Sequence, residues 1–506
     1  MTTPRGALMV CGTGSDAGKS TVVAGLCRLL AREGVSVAPF KGQNMSLNSM
    51  VTADGAEIGR AQWLQALAAG VVPEAAMNAV LLKPTGERAS QVVVMGRPQA
   101  VHEAGAYQGV KAGLVGVVDE ALADLRSRFD VVLCEGAGSP AEINLLGHDL
   151  VNLGLAHRAG LAAVLVGDIE RGGVFAHLYG TVAILPDELR PHIRGFIINR
   201  FRGDRSLLGD AMAQLETRCG VATIGVLPHL GELVLDAEDS LQLGAGRQSR
   251  PAHDGDVLDV AVVRLPRLSN FTDLDPLAIE PGVAVRFVDH PSLLGHPDLV
   301  VVPGSKSTVA DLEWLRASGM AAALEEHRRS PGPPVLLGVC GGFQMFGTEL
   351  ADPAGVESTV TAGPGLDWLP LRTTFDTDKV TRLRTATDAG GAAVEGYEIH
   401  HGRTSALEGW RPWLVPDLEH DGDVLSAIDP SGLVCGTALH GLFEADAFRR
   451  AFLEHVAAVA GKEWRRGSQS FAAAREAQID RVADACAEFL DLDALWALLT
   501  PRALSA

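Results

Sequence analysis

The feature of this sequence that most restricts its fold is the alternation of short apolar runs with segments of helical periodicity. In the first half, buried strands are predicted at 7–11, 35–39, 131–134, 161–166 and 195–198, and helices at 18–31 and 115–126. Strands that alternate with helices form a parallel sheet covered by helices on both faces. We therefore predict an α/β fold whose first domain is doubly wound.

A second α/β unit follows a polar, glycine-rich stretch at 244–256, which we predict to be a linker. Its strands are predicted at 257–265, 283–288, 299–303, 335–339 and 434–439, and its helices at 309–317 and 448–460. The segment 470–499 has helical character, and we expect it to pack against one of the domains. The predicted organisation is thus two doubly wound domains, 1–243 and 257–460, followed by a helical tail, 461–506.

Length, charge and cysteine usage exclude several classes of protein. A chain of 506 residues has room for about three average domains or two large ones. Its formal net charge of −19 makes it a poor candidate for binding nucleic acid or an anionic membrane, and no apolar stretch approaches the ~20 residues of a membrane helix. The seven cysteines are scattered and odd in number, which is typical of a reduced, cytoplasmic protein. We expect no nucleic-acid or membrane partner and leave the oligomeric state open, a homodimer being one alternative.

A candidate nucleotide site lies directly after the first predicted strand. A loop of small residues there runs into a helix, and its backbone N–H groups are free to surround phosphate oxygens. Lys19 would reach the β- and γ-phosphates of ATP, and the Ser20 hydroxyl would bind Mg²⁺. The spacing departs from the standard P-loop, because Thr13 stands where the first glycine is expected. The loop comprises Gly12, Thr13, Gly14, Ser15, Asp16, Ala17, Gly18, Lys19, Ser20 and Thr21.

Four polar residues near strand ends are further candidates in this half. Glu135 ends an apolar strand at the carboxyl edge of the sheet, where ligands bind. Asp54 is a plausible second carboxylate for Mg²⁺, the alternative being a solvated turn. Asn199 ends another strand, where a plain strand-ending cap is the alternative to a ligand contact. Lys41 ends the second strand close to the loop and could orient a substrate carboxylate or meet the γ-phosphate.

This loop and the Glu-Gly-Ala-Gly segment at 135–138 resemble the dethiobiotin synthetases, which activate a carboxylate with ATP. The resemblance implies that Glu135 binds Mg²⁺ and that Asn199 hydrogen-bonds the adenine edge. Partition ATPases of the ParA type carry an additional lysine at the position of Gly14, so this sequence does not favour a dimerising ATPase switch.

The second unit contains a candidate glutamine site. Cys340 lies between a predicted strand and helix among small residues, which is the pattern of a nucleophile elbow, and the helix N-terminus would favour its thiolate. His440 follows another apolar strand and would serve as the base, so that attack on a carboxamide gives a thioester and releases ammonia. Backbone N–H groups of Gly304 and Gly341 could form an oxyanion hole. Taken singly, a buried inert cysteine and a structural histidine are alternatives.

Together these residues resemble the class I glutamine amidotransferase domain. Many such domains have Glu two residues after the histidine, where this chain has Leu442. Glu444 is close but cannot be assigned to the triad, so its third member is left open.

Further segments resemble one family that combines both sites, the cobyric acid synthases of cobalamin biosynthesis. These segments are 39–49 (PFKGQNMSLNS), 57–62 (EIGRAQ), 135–144 (EGAGSPAEIN), 168–176 (DIERGGVFA), 269–273 (SNFTD) and 397–403 (YEIHHGR). The resemblance runs from about residue 6 to 450, with departures at Ala79 and Glu170 that touch no chemistry. It does not include the tail.

The resemblance implies ATP- and glutamine-dependent amidation of the b, d, e and g carboxylates of adenosylcobyrinic acid a,c-diamide, through acyl phosphates. Gln43, Asn44, Arg171 and Arg202 are donors that could hold the other carboxylates of such a corrinoid, the alternative for each arginine being a surface salt bridge. Two other functions remain: a related ligase acting on another acid, such as cobyrinic acid a,c-diamide synthase, and a nucleotide-binding regulator with a degenerate amidotransferase half. The segment around Gln43 weighs against the first, and intact Lys19 and Cys340 weigh against the second.

Overall fold

The computed structural model describes residues 4–86, 89–231, 256–358, 361–418 and 422–499. The predicted linker at 244–256 lies outside the described residues apart from Asp256. The described residues form two α/β units, each built on its own mainly parallel sheet, as predicted. Among them, no helix combines the length and apolar character needed to cross a membrane.

The first unit contains a nine-stranded sheet and six helices within the described residues. Its strands are β1 (Gly6–Gly12), β2 (Val37–Met45), β3 (Ser49–Val51), β4 (Glu57–Gly59), β5 (Asn78–Pro84), β6 (Ala89–Val94), β7 (Arg97–Glu103), β8 (Val131–Glu135), β9 (Ala162–Asp168), β10 (Ile193–Phe201) and β11 (Thr223–Pro228). Its helices are α1 (Lys19–Arg32), α2 (Arg60–Ala69), α3 (Ala104–Arg128), α4 (Leu153–Ala159), α5 (Val174–Ile184) and α6 (Ala211–Cys219).

The strand order places the ends of three central strands side by side. The sheet runs β11-β10-β9-β1-β8-β2-β5-β6-β7, parallel except for β6 and β7, while β3 and β4 form a separate hairpin. Strand β1 is central and its residues after Gly6 are buried, as expected of a parallel strand covered on both faces. Because β8 pairs with both β1 and β2, the residues that follow these strands meet at one edge of the sheet.

The second unit is organised around a six-stranded sheet with the order β14-β12-β15-β17-β24-β23. Its strands are β12 (Leu258–Val263), β13 (Leu268–Ser269), β14 (Val283–Val288), β15 (Leu299–Val302), β16 (Gly304–Ser305), β17 (Val335–Val339), β18 (Glu349–Ala351), β19 (Ala362–Pro364), β20 (Leu371–Asp388), β21 (Ala393–Ala406), β22 (Leu414–Pro416), β23 (Ser426–Ile428) and β24 (Val434–Thr437). Its helices are α7 (Asp275–Ala278), α8 (Thr308–Ala317), α9 (Met320–Arg329), α10 (Gly341–Met345) and α11 (Asp446–Ala460).

A long antiparallel hairpin, β20–β21, is the longest of several elements of the second unit that the sequence did not predict. It forms a further sheet with β18, β19 and β22, and the β20–β21 register shifts between Phe375 and Val380. Sequence periodicity failed here because the hairpin alternates buried and exposed residues irregularly around that shift.

The tail forms α12 (Phe471–Phe489) and α13 (Leu492–Trp496) and packs on the first unit. Helix α12 lies against α1, so closely that a Cβ at Gly25 would be 2.7 Å from the Val482 side chain. The described part of the chain therefore returns to the first unit after passing through the second.

Candidate active sites

The phosphate loop connects β1 to α1 and has the conformation that its glycines allow. Gly18 has φ +96°, a left-handed backbone that favours glycine, and a Cβ there would lie 2.0 Å from Asn199 Nδ2. The Lys19 ammonium points into the loop, where it donates to the carbonyl oxygens of Gly14 at 2.8 Å and Gly138 at 3.2 Å. An ammonium inside a loop of small residues at the start of a 14-residue helix is suited to binding phosphate.

Glu135 is the polar centre beside this loop. Its Oε1 accepts hydrogen bonds from Ser20 Oγ at 2.8 Å and Lys41 Nζ at 2.9 Å. Its Oε2 accepts from the side-chain amides of Gln65 at 2.5 Å and Gln62 at 3.4 Å. Burial would raise the pKa of Glu135, but Lys41 and the hydrogen bonds lower it below its ordinary value, so the carboxylate is ionised.

The donor set at this point fits a magnesium ion. Ser20 and Glu135 present a hydroxyl and a carboxylate oxygen side by side, and Mg²⁺ is usually held by one or two protein oxygens together with phosphates and water. The described residues hold no cluster of three or more His, Cys, Asp or Glu side chains placed to bind a metal. Nucleotide phosphates and water would complete the coordination of a Mg²⁺ ion at this point.

Asp54 does not contact Glu135 in this structure. Asp54 lies in the exposed turn between β3 and β4, where Thr52 Oγ1 donates to its Oδ1 at 2.5 Å. The neighbouring Gly55 faces the backbone of Thr381 in the second unit, 3.4 Å from where its Cβ would be. The solvated-turn alternative accounts for this geometry, because the tight Asp-Gly turn directs the carboxylate outward.

Asn199 and Asn44 are buried in the region of the phosphate loop. The Asn199 amide donates to the Ala17 carbonyl at 3.0 Å and so lies against the loop itself. Asn44 donates to the Gln62 oxygen at 3.0 Å, which connects it to the Glu135 cluster. Gln43 is only partly buried and accepts a hydrogen bond from the Tyr107 hydroxyl at 2.7 Å.

Both candidate arginines form exposed ion pairs. Arg171 lies 3.7 Å from Asp16 of the phosphate loop, and Arg202 pairs with Glu170 at 2.9 Å. Their side chains are 71% and 63% exposed, which is the geometry of the surface salt-bridge alternative.

Cys340 has the strained backbone of a nucleophile elbow. It follows β17 and begins α10 with φ +49° and ψ −105°, a conformation that is unfavourable for a residue with a Cβ. Its small neighbours make the turn possible, since a Cβ at Gly338 or Gly342 would clash with backbone at 2.8 Å or 1.9 Å. The thiol is thereby held at the carboxyl edge of the sheet.

His440 and Asp273 complete a triad with Cys340. Strands β17 and β24 are parallel neighbours, so the residues after them, Cys340 and His440, meet at the same edge. His440 Nδ1 lies 2.7 Å from Asp273 Oδ2. Burial would lower the pKa of His440, but Asp273 and the hydrogen-bonded Cys340 raise it to about 10. The imidazole is therefore positively charged at neutral pH beside the thiol.

Asp273 is the residue that sequence reasoning missed. It belongs to the segment 269–273, which carried part of the family resemblance, but it lies 167 residues before His440 and no local spacing connects the two. Glu444, the nearby acidic residue, pairs instead with Arg60 at 2.9 Å.

Both candidate oxyanion glycines lie at the nucleophile. A Cβ at Gly304 would lie 3.1 Å from His440 Cε1, and a Cβ at Gly341 would lie 2.8 Å from the backbone nitrogen of Ser305. Neither position has room for a side chain, which keeps their backbones close to Cys340.

A small cavity beside Cys340 is rich in charged side chains. Lys83, Lys306, Lys379 and Glu357 line it together with the triad residues Cys340 and His440. Lys83 and Lys379 both pair with Glu57 at 2.5 Å, and burial lowers the pKa of the third lysine, Lys306. Glu357 accepts a hydrogen bond from the Thr308 amide at 2.7 Å, and burial raises its pKa to about 7 despite the nearby Lys306.

This cavity lies where the two units meet. The Glu57 carboxylate on β4 of the first unit holds Lys379 on β20 of the second. Asn270, which also lines the cavity, accepts a hydrogen bond from the Ser49 amide at 3.1 Å, and Thr272 donates to Asn48 at 3.0 Å. Polar contacts thus join the two candidate sites through one interface.

Comparison with protein families divides the chain in the same way as its two sheets. Residues 8–241 match the CobQ/CobB/MinD/ParA nucleotide binding domain, and residues 259–448 match the CobB/CobQ-like glutamine amidotransferase domain. The cobyric acid synthase of Frankia casuarinae is 50% identical over 99% of this chain and 98% of that protein. Those of Rhodococcus jostii and Streptomyces coelicolor are 52% and 51% identical, each over 98% of this chain and 96% of the relative.

Proposed function

This chain belongs to the cobyric acid synthase family, a family of glutamine-hydrolysing ligases of cobalamin biosynthesis, and we propose that it amidates the b, d, e and g carboxylates of adenosylcobyrinic acid a,c-diamide at the expense of ATP. One observation carries the proposal. A phosphate loop with an ionised Glu135 and a Cys340–His440–Asp273 triad occur in one chain, on two units that contact each other through an interface.

In the glutaminase half, Cys340 attacks the side-chain amide carbon of glutamine. The charged His440, oriented by Asp273, gives its proton to the departing nitrogen, and ammonia and a thioester result. Water then hydrolyses the thioester to glutamate, with His440 taking a proton from it. Backbone N–H groups of Gly304 and Gly341 offset the negative charge on the oxygen of each tetrahedral intermediate.

Glutamine also needs recognition at its zwitterionic end. Lys306 and Glu357 offer one cation and one carboxylate beside Cys340, complementary to the α-carboxylate and α-ammonium groups. Because Lys83 and Lys379 are held by Glu57, we assign Lys306 to the α-carboxylate.

In the ligase half, a substrate carboxylate oxygen attacks the γ-phosphorus of ATP, and ADP leaves. Lys19 stabilises the charge on the transferring phosphoryl group, and Lys41, held at 2.9 Å from Glu135, orients the attacking carboxylate. Ser20 and Glu135 would hold Mg²⁺, which would supply further charge stabilisation when bound. Ammonia then attacks the acyl carbon, the amide forms, and phosphate leaves.

The remaining predicted donors contribute to substrate binding in this proposal. Gln43, Asn44, Arg171 and Arg202 face other carboxylates of the corrinoid, and Asn199 contacts the adenine of ATP. The seven cysteines, all among the described residues, are unpaired, which supports a cytoplasmic location.

Mass spectrometry tests the proposal directly. The protein is incubated with adenosylcobyrinic acid a,c-diamide, MgATP and glutamine, and four stepwise conversions of carboxyl to amide are expected. Cys340→Ser should abolish the reaction with glutamine and retain it with ammonium. Glutamine hydrolysis without any change of the corrinoid would instead direct the search to another carboxylic acid.

A further inference from the structure

Three distant parts of the chain meet at the carboxylate of Glu444. Arg60 on α2 donates to Glu444 Oε1 at 2.9 Å, and Arg475 on the tail helix α12 donates to Oε2 at 3.1 Å. Both guanidinium groups also contact the ring of Trp63, at 4.6 Å and 5.0 Å from its centre. We call Arg60, Trp63, Glu444 and Arg475 the Glu444 junction.

The Glu444 junction is joined to the catalytic histidine by a very short stretch of chain. Only three residues separate Glu444 from His440, and the Glu444 amide donates to the Gly441 carbonyl at 2.9 Å. The Gly441 amide in turn donates to Asp273 Oδ1 at 2.9 Å. A displacement of Glu444 would therefore be transmitted to the His440 loop and to its contact with Asp273.

The same junction is also connected to the phosphate site. Arg60 and Trp63 lie in the first turns of α2, the helix whose Gln62 and Gln65 hydrogen-bond Glu135. The ligase carboxylate and the glutaminase histidine are thus connected through one helix and one ion cluster.

We propose that the Glu444 junction positions the His440 loop against the ligase domain. The C-terminal tail contributes Arg475, whose hydrogen bond to Glu444 stabilises the junction. The proposal rests on the proposed function, because it concerns the coupling of glutamine hydrolysis to amidation. Arg475 and Glu444 touch none of the triad side chains in this account, and they are positioning residues, not catalytic ones.

The charges of the junction explain why Arg475 is the informative residue to change. Burial would raise the pKa of Glu444, but the two arginines lower it below its ordinary value. Arg60 is almost fully buried, so removing Glu444 would take a carboxylate away from a charge inside the protein, at a large cost in stability. Removing Arg475 leaves the Arg60–Glu444 pair intact.

The tail helix has other attachments that would keep it in place. Arg28 and Arg32 of α1 pair with Asp480 at 3.2 Å and 2.8 Å, and Val482 packs against Gly25. Loss of the Arg475 charge therefore tests positioning separately from the docking of α12.

The experiment compares Arg475→Met, which keeps an apolar side chain next to Trp63, with the wild-type protein. Glutamine-dependent amidation should fall about tenfold, the size expected for loss of a charge-assisted hydrogen bond, while ammonia-dependent amidation stays within about twofold. The amide formed per glutamine hydrolysed should fall as well. Arg475→Lys should restore much of the coupling.

Glu476→Gln is the matched control, since the next residue of the same helix pairs with Arg28 and not with the junction. It should leave both rates unchanged. Equal loss of the two rates in Arg475→Met, or no loss in either, would overturn the positioning role. Failure of the wild-type protein to amidate the corrinoid even with ammonium would overturn the proposed function instead, so the two failures are distinguishable.

Discussion

The two carboxylate oxygens of Asp273 have different partners, the side chain of His440 and the backbone amide of the residue after it. Its Oδ2 lies 2.7 Å from His440 Nδ1, and its Oδ1 accepts from the Gly441 amide at 2.9 Å. The same residue therefore sets the charge of the imidazole and the position of its loop. This is why the triad needs no acidic residue at Leu442.

Replacing Asp273 with Asn should reduce glutamine-dependent amidation by about 10²-fold or more near neutral pH, because the imidazolium loses its counter-charge and its orientation. Ammonia-dependent amidation should be retained, since it bypasses the triad. The measurement is the ratio of the two rates in the same preparation.

The pH dependence of the Asp273→Asn protein should also change. Interaction with Asp273 and Cys340 raises the pKa of His440 to about 10, so the wild-type imidazolium persists until the pH approaches that value. Without the carboxylate its pKa should fall toward the ordinary value of about 6.5, and the alkaline limb of glutaminase activity should move down with it. An unchanged alkaline limb would contradict the assignment of Asp273.

Replacing Glu135 with Gln should abolish ATP-dependent amidation with either nitrogen source while free glutaminase activity persists. The carboxylate accepts hydrogen bonds from Ser20 at 2.8 Å and Lys41 at 2.9 Å. A neutral amide has no negative charge to attract a metal ion or Lys41. The activity should be measured as a function of Mg²⁺ concentration. Glu142→Gln, an exposed position in the same segment, is the control and should behave as wild type.

The sequence was sufficient for the parallel cores and for both sites that follow apolar strands. Strand 335–339 and strand 283–288 have the predicted bounds, because continuous apolar runs next to glycine-rich turns leave few alternatives. Lys19, Cys340 and His440 were identifiable for the same reason, since each directly follows a predictable strand or loop.

Residues that act across long sequence separations were not predictable. Asp273 reaches His440 only when the segment after β13 is folded, and Glu357 and Lys306 meet only when β16 and the segment after β18 are folded. Asp54 shows the same limit, because an acidic residue in a turn has the same local sequence whether it faces a metal or solvent, and both alternatives stayed open until its exposed position was known. Tertiary placement, not local pattern, decides both cases.

Replacing Lys41 with Ala should abolish amidation even when ammonia is supplied. Lys41 is buried and pairs with Glu135, so its loss removes the group that orients the substrate carboxylate and leaves a buried charge without its cation. Ammonia-dependent turnover and the thermal unfolding midpoint should be measured together. Substantial turnover in a folded Lys41→Ala protein would refute the role.

Replacing Lys306 with Ala should raise the KM for glutamine about tenfold or more and leave ammonia-dependent amidation unchanged, since a charge-assisted contact to the α-carboxylate would be lost. Lys306→Arg, which keeps the positive charge, should retain part of the affinity. A fall in kcat at unchanged KM would contradict recognition of the zwitterionic end and indicate an effect on Cys340 instead.

Replacing Gly25 with Val should loosen the tail from α1. A Cβ at this position would lie 2.7 Å from Val482 Cγ1 and 2.9 Å from Cys486 Sγ, and overpacking of this kind costs about 1–3 kcal/mol. Limited proteolysis should then cut more readily between α11 and α12, and the apparent unfolding midpoint should fall. Gly113→Val is the matched control, because this helical glycine is exposed and has no atom within 4 Å of its Cβ position, so the helix-propensity change occurs without a clash. Valine is a slightly better helix former than glycine, so Gly113→Val should not destabilise the protein, and equal destabilisation by both substitutions would contradict the contact with α12 as the cause.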